Sequence, residues 1–275
     1  MVAVALAAGI LAQILARQLR LPGIVLLLAF GVALGPDGLA WVEPHALGEG
    51  LFGLIDVGVA VILFEGGLNL EISRLRRQEG PIRRLITIGA LVTLVGATLA
   101  VRLLLLWPWS LSVLFGSLVV VTGPTVVTPL VRELRLRRGL KTVLEAEGVL
   151  IDPIGAILAV VTLQIVLVPG AFAGELAGLI GRLAFGLVAG GLGGLLLGGL
   201  LRVRGLVPRG LENVFSLATV VLLFAGCDQV MSTSGILAVT VAGVVVGNLG
   251  TPVDRDLREF KDQLTVMPGG ARPRP

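Results

Sequence analysis

Long apolar runs separated by short polar loops make up most of the chain. Nine stand out, at about 2–16, 21–36, 50–68, 82–106, 110–131, 142–168, 173–201, 211–227 and 232–249. The first, second and eighth are short for a full crossing. In lipid, only a helix or a closed barrel pairs all of its backbone groups, and about 20 apolar residues of helix span a hydrocarbon core. The pattern therefore predicts an all-α fold, a polytopic membrane helix bundle of about nine helices.

The loops add direction. Arg17 and Arg20 follow the first run, and Arg74, Arg76, Arg77, Arg83 and Arg84 the third. Arg132, Arg135, Arg137, Arg138 and Lys141 follow the fifth, Arg202, Arg204 and Arg209 the seventh, and Arg255, Arg258 and Lys261 the ninth. Alternate loops hold almost no basic residues, and one carries Asp37, Glu43 and Glu49. By the positive-inside rule the N-terminus lies outside, in a multi-pass protein of the cytoplasmic membrane. Trp107 and Trp109 fall at an outer boundary, where interfacial aromatics belong.

Composition agrees: 55% of residues are hydrophobic and 15% charged, with a mean hydropathy of +0.99. The net charge of +4 is spread over the loops in short clusters, so no nucleic-acid surface is expected. A lone Cys227 and a lone His45 leave no basis for a disulfide, a zinc site or a histidine-based triad. Residues 1–16 lack a basic leader and a cleavage site, so no cleavable signal peptide is expected. No cofactor is called for.

Against this background, 142–168 is anomalous, because it carries Glu145, Glu147 and Asp152 inside an apolar run. Entering near Thr142 at about 1.5 Å per residue, the helix would place Asp152 roughly 15 Å deep, near the bilayer centre. A charge there costs about 2.5–3.5 kcal/mol on the mildest scale. Pro153 also removes the donor for the Val149 carbonyl. Asp152 could be structural, paired with an arginine of another helix or held protonated. Intramembrane acids more often mark ion or proton paths, and that reading is preferred. Glu147, about 8 Å in, suits an ion-pair role, and Glu145 a solvated one.

The run at 110–131 contains Val121-Thr122-Gly123-Pro124-Thr125-Val126-Val127-Thr128-Pro129. Glycine and two prolines within seven residues leave carbonyls without helical donors, as in a broken transporter helix or a simple proline kink. In the seventh run Gly186, Gly190, Gly194 and Gly198 repeat every four residues, a close-packing face rather than a dinucleotide loop. Gly23, Gly31 and Gly35 coincide with Gly235, Gly243 and Gly247, as do Ile24 with Ile236 and Val32 with Val244. The two segments run in opposite senses, as expected of a partial inverted-repeat transporter fold with one broken helix; the alternative is a chance match between Gly-rich apolar helices. The same offset puts a partner for 110–131 beyond residue 275. A truncated or frame-shifted transporter is expected, with an incomplete membrane domain at 1–265 and a disordered Pro/Gly/Arg-rich tail at 266–275.

Three stretches, Thr122-Gly123-Pro124-Thr125, Glu147-Gly-Val-Leu-Ile-Asp152-Pro153 and Leu63-Phe64-Glu65-Gly66-Gly67-Leu68, resemble the bacterial sodium/proton antiporters of the monovalent cation:proton antiporter family. The resemblance runs to about residue 265. It implies exchange of Na+ or K+ for H+, with Asp152 binding cation and proton in turn. Glu147 would then help stabilise the core, and Thr122 with Gly123, Pro124 and Thr125 would line the site from the broken helix. It also implies a core domain, a dimerisation domain and a homodimer for the full-length chain. Two departures keep sodium and potassium both open. The family commonly has Thr-Asp-Pro where this chain has Thr122-Gly123-Pro124, and Asn or Asp where it has Ile151.

The expected mechanism is competition, since a proton or a cation neutralises the same buried carboxylate, with one cation moved per proton and no covalent chemistry. An intramembrane aspartyl protease would need a Tyr-Asp motif, and the chain has no Tyr. The alternative is an inactive fragment that only associates with other membrane proteins through Gly186–Gly198.

Overall fold

The computed structural model describes residues 2–19, 23–43, 48–122, 136–168, 172–203, 207–208 and 211–249. Every regular element among these residues is a helix. A hairpin of α1 (Val2–Leu19) and α2 (Gly23–Leu34) precedes α3 (Glu49–Leu68) and two short basic helices, α4 (Ile72–Arg77) and α5 (Glu79–Arg84). A π-helical turn at Leu85–Gly89 leads into α6 (Ala90–Leu104), followed by α7 (Trp109–Val119) and α8 (Arg138–Leu167). The described chain closes with α9 (Phe172–Arg202), α10 (Glu212–Val230) and α11 (Ser234–Asn248).

Among the described residues, five stretches are long and apolar enough to cross a membrane: Gly50–Leu68, Glu79–Leu104, Gly139–Leu167, Ala177–Arg202 and Glu212–Val230. Four shorter apolar helices accompany them, and leucines such as Leu28, Leu103 and Leu196 point outward as a lipid-facing surface requires. This is a multi-pass helical membrane protein.

Several element edges differ from the apolar runs for local reasons. The helix of the fourth apolar run begins with α5 at Glu79 rather than at 82, because Pro81 sits in the first turn, where its missing N–H is not needed. Only part of the run at 110–131 is seen as helix. It stops at Val119, and Val121 and Thr122 leave helical geometry just ahead of Gly123 and Pro124. Residues 123–135, and with them Gly123, Pro124 and Thr125, lie outside the described residues. So does the tail expected at 266–275.

The tightest packing centres on α11. On one side Gly186, Gly190, Gly194 and Gly198 of α9 all face it. An added Cβ would come within 2.9 Å of the Ser234 carbonyl at Gly186, and within 2.8 Å and 2.9 Å of the Ala238 and Ala242 Cα atoms at Gly190 and Gly194. At Gly198 it would strike the Leu249 side chain. On the other side Gly67 of α3 meets the Thr240 carbonyl, and Gly243 and Gly247 meet the carbonyls of Phe64 and Leu68. Small residues let backbones approach this closely, and van der Waals contact supplies the attraction that lipid cannot. Leu63, Phe64, Leu197, Val220, Phe224, Val239 and Val246 fill the remaining space.

Asn248 then ties the basic end of the bundle together. Its Oδ1 accepts from the Ile72 N–H at 2.9 Å, and its Nδ2 donates to the carbonyls of Leu70 and Val244, each at 2.8 Å. These bonds fix the chain as it leaves α3 for α4.

Candidate functional site

Helix α8 runs unbroken for 30 residues through Pro153. Its continuity places Glu147 and Asp152 on one rigid element, five residues apart. Around them Ile151 is 1% exposed, Pro153 and Gly155 are buried, and Asp152 itself is half-buried. Val149 packs on Gly66 of α3, where a Cβ would lie 3.3 Å from its Cγ2. Leu70, Ile82, Val143 and Ala146 complete the apolar support.

The segment leaving α7 crosses this stretch. The Thr122 hydroxyl donates to Glu147 Oε1 at 2.8 Å, while Val121 fills the space a Cβ on Gly155 would need. Asp152 lies on α8 between these two contacts. Glu147 is only 9% exposed, so a bond to its carboxylate matters, at about 1.5–3 kcal/mol. With Glu147 ionised, the hydroxyl proton of Thr122 is committed to it, and toward any other group Thr122 presents an oxygen acceptor. The Val149 carbonyl, whose helical donor Pro153 removes, adds a second neutral oxygen within a turn of Asp152. One carboxylate with neutral oxygens nearby is chemistry for a hard monovalent ion or a proton. Among the described residues no group of three Asp, Glu, His or Cys side chains could hold a bound metal.

Access to this stretch is uneven. At the arginine-rich end a cavity of about 590 Å³ is lined by Arg74, Arg77, Gln78, Gly139, Lys141, Thr142 and Glu145. It reaches Glu145, two residues short of Glu147, and Lys141 pairs with Glu145 at 3.8 Å. Beyond Asp152 in the other direction, Ile157, Val161 and Leu237 are buried, with Ile165, Leu179, Leu183 and Val241 packed around them. Among the described residues, polar space approaches from one end, and an apolar plug fills the other.

Of the residues singled out from the sequence, the structure joins Thr122 to Glu147 and sets Asp152 on the same helix. Gly186, Gly190, Gly194 and Gly198 are spent on packing against α11 and the Leu249 that follows it. Two polar residues escaped the sequence reading. Arg182 lies inside α9 at 9% exposure, and Asn248 holds the α3–α4 connection. A lone arginine ten residues into an apolar run was a usable signal, because charges at that depth need partners.

Long apolar helices, one of them carrying Glu147 and Asp152 beside the end of α7, define a multi-pass membrane protein. The family model for the sodium/hydrogen exchanger transmembrane region matches residues 2–266, and the chain belongs to that family. The Na(+)/H(+) antiporter NhaS2 of Synechocystis sp. is 28% identical over 244 residues, covering 87% of this chain and 43% of that protein. The K(+)/H(+) antiporter NhaP2 of Shewanella oneidensis is 26% identical over 263 residues, covering 94% of this chain and 45% of the relative. The solved structure of the sodium proton antiporter MjNhaP1 from Methanocaldococcus jannaschii at pH 8 superposes with a TM-score of 0.77 at 26% identity. That match covers 96% of this chain and 66% of MjNhaP1. The chain thus spans about half to two thirds of the length of these relatives.

Proposed function

We propose that the chain exchanges a monovalent cation, Na+ or K+, for protons across the cytoplasmic membrane, with Asp152 binding the two in turn. The observation that carries this reading is Asp152 itself, set on a spanning helix between the Thr122–Glu147 hydrogen bond and the Val121–Gly155 contact. Ionised, the carboxylate is costly to keep out of water, and either a proton or an alkali ion relieves that cost. Binding one therefore expels the other. Relatives named as Na+/H+ and K+/H+ antiporters support the same exchange and leave the choice of cation open.

In this reading Glu147 holds the end of α7 in place through Thr122, and Thr122 supplies a ligand oxygen. The family resemblance assigns the same role to Gly123, Pro124 and Thr125, which lie outside the described residues. The basic loops put the N-terminus outside, so the cavity at Arg74 and Lys141 opens to the cytoplasm. Residues 1–265 belong to the transport domain and make up part of it. Besides the two ions and the bilayer, the partner is a second copy of the full-length chain.

The test is cation-driven proton movement in everted membrane vesicles, comparing the chain with Asp152→Asn. Exchange by the former and none by the latter is the expected result. Exchange that survives Asp152→Asn would overturn the assignment. Its absence from both would favour the inactive fragment, and current without proton coupling would indicate a channel.

A further inference from the structure

Two seams meet α9, and they differ in kind. Toward α11 the contact is backbone against backbone at Gly186, Gly190 and Gly194. Any slide there would drive Cα and carbonyl atoms into one another. Toward α8 the contact is between apolar side chains, Ile157, Val161 and Ile165 against Leu179 and Leu183. Such contact is non-directional and tolerates displacement. If the Asp152 helix moves relative to α9 and α11, it moves across the second seam.

A directional bond sits on that seam. Arg182 Nη2 of α9 donates to Gln164 Oε1 of α8 at 2.9 Å, and lies 3.5 Å from Glu175 Oε2 on its own helix. Arg182 is 9% exposed, and among the described residues its Nη1 has no hydrogen-bond partner. A bond to a buried cation holds the seam in one register. The unpartnered Nη1 leaves part of the desolvation cost unrelieved, so the held state is only modestly favoured. Gln164 lies 12 residues beyond Asp152, roughly 18 Å toward the outer face, with the apolar plug between them.

We infer that Arg182 is a positioning residue, a releasable latch that holds the outer half of the Asp152 helix against α9 and keeps the plug shut. The inference rests on the exchange reading for its purpose, but its test does not depend on exchange. In the full chain carrying Cys227→Ser, the sole cysteine is removed and Val161→Cys reports opening of the plug. A membrane-impermeant maleimide is applied to each face in turn, with and without Gln164→Leu. That change withdraws the acceptor and leaves Arg182 beside Glu175.

The expected result is labelling from the outer face at least about tenfold faster when the acceptor is gone, the low end of what one charge-assisted bond supplies. Where exchange is measurable, KM for the cation at the two faces should shift further than kcat. Equal labelling rates would overturn the latch, whether or not the chain transports. Should Gln164→Leu fail to fold, Gln164→Asn shortens the acceptor by one methylene and is read by the same two outcomes.

Discussion

Helices α2 and α11 carry the same glycine spacing, yet they live in different surroundings. Among the described residues α2 buries none, while α11 buries nine, from Ser234 to Val246. Nothing lies within 4 Å of a Cβ added at Gly31, whereas at the matching Gly243 it would run into the Phe64 carbonyl. Lipid tails are as apolar as leucine, so hydropathy is equally high for a helix facing lipid and for one enclosed by protein. The pattern says where a helix is, and the environment of its glycines says what it touches.

Matched substitutions sharpen this contrast. Gly243→Ala should have the largest effect, about 1–3 kcal/mol or more of destabilisation, because backbone oxygen cannot give way as a side chain would. Thermal unfolding of detergent-purified protein measures it. Asn248→Leu should cost somewhat less, about 2 kcal/mol, by removing three hydrogen bonds and leaving the Ile72 N–H and the Leu70 carbonyl to water. Its counterpart in the repeat alignment is Pro36, which has no amide to clamp with. Limited proteolysis between α3 and α4 should quicken in that variant. Gly31→Ala should sit at the other extreme, neutral or more stable by about 0.5–1 kcal/mol through helix propensity alone. A melting point lowered as far as that of Gly243→Ala would show that α2 is covered after all.

What the chain revealed beforehand follows from the same physics. The helical, membrane-crossing character was legible because only a helix or a closed barrel satisfies a backbone in lipid, and runs such as 50–68 or 173–201 are far longer than a barrel strand. Asp152 and Glu147 stood out because charge at depth is costly wherever it occurs. The Thr122–Glu147 bond was not legible as a contact, since it joins residues 25 apart whose relative height depends on how α7 ends. The start of α8 was misjudged by four residues, at Arg138 rather than Thr142, because basic residues extend a helix without adding hydropathy. The π-helical turn at Leu85–Gly89 left no trace in an apolar run, because a local change of winding alters neither polarity nor length by much.

The position of α11 between α3 and α9 has a consequence for how the molecule is made. The ribosome finishes α3 about 180 residues before it finishes α11, roughly 9–36 seconds at ordinary elongation rates. Throughout that interval the glycine face of α3 has no mate, and that of α9, completed at Arg202, waits only for the 46 residues from there to Asn248. The centre of the bundle is the last part of the described chain to arrive.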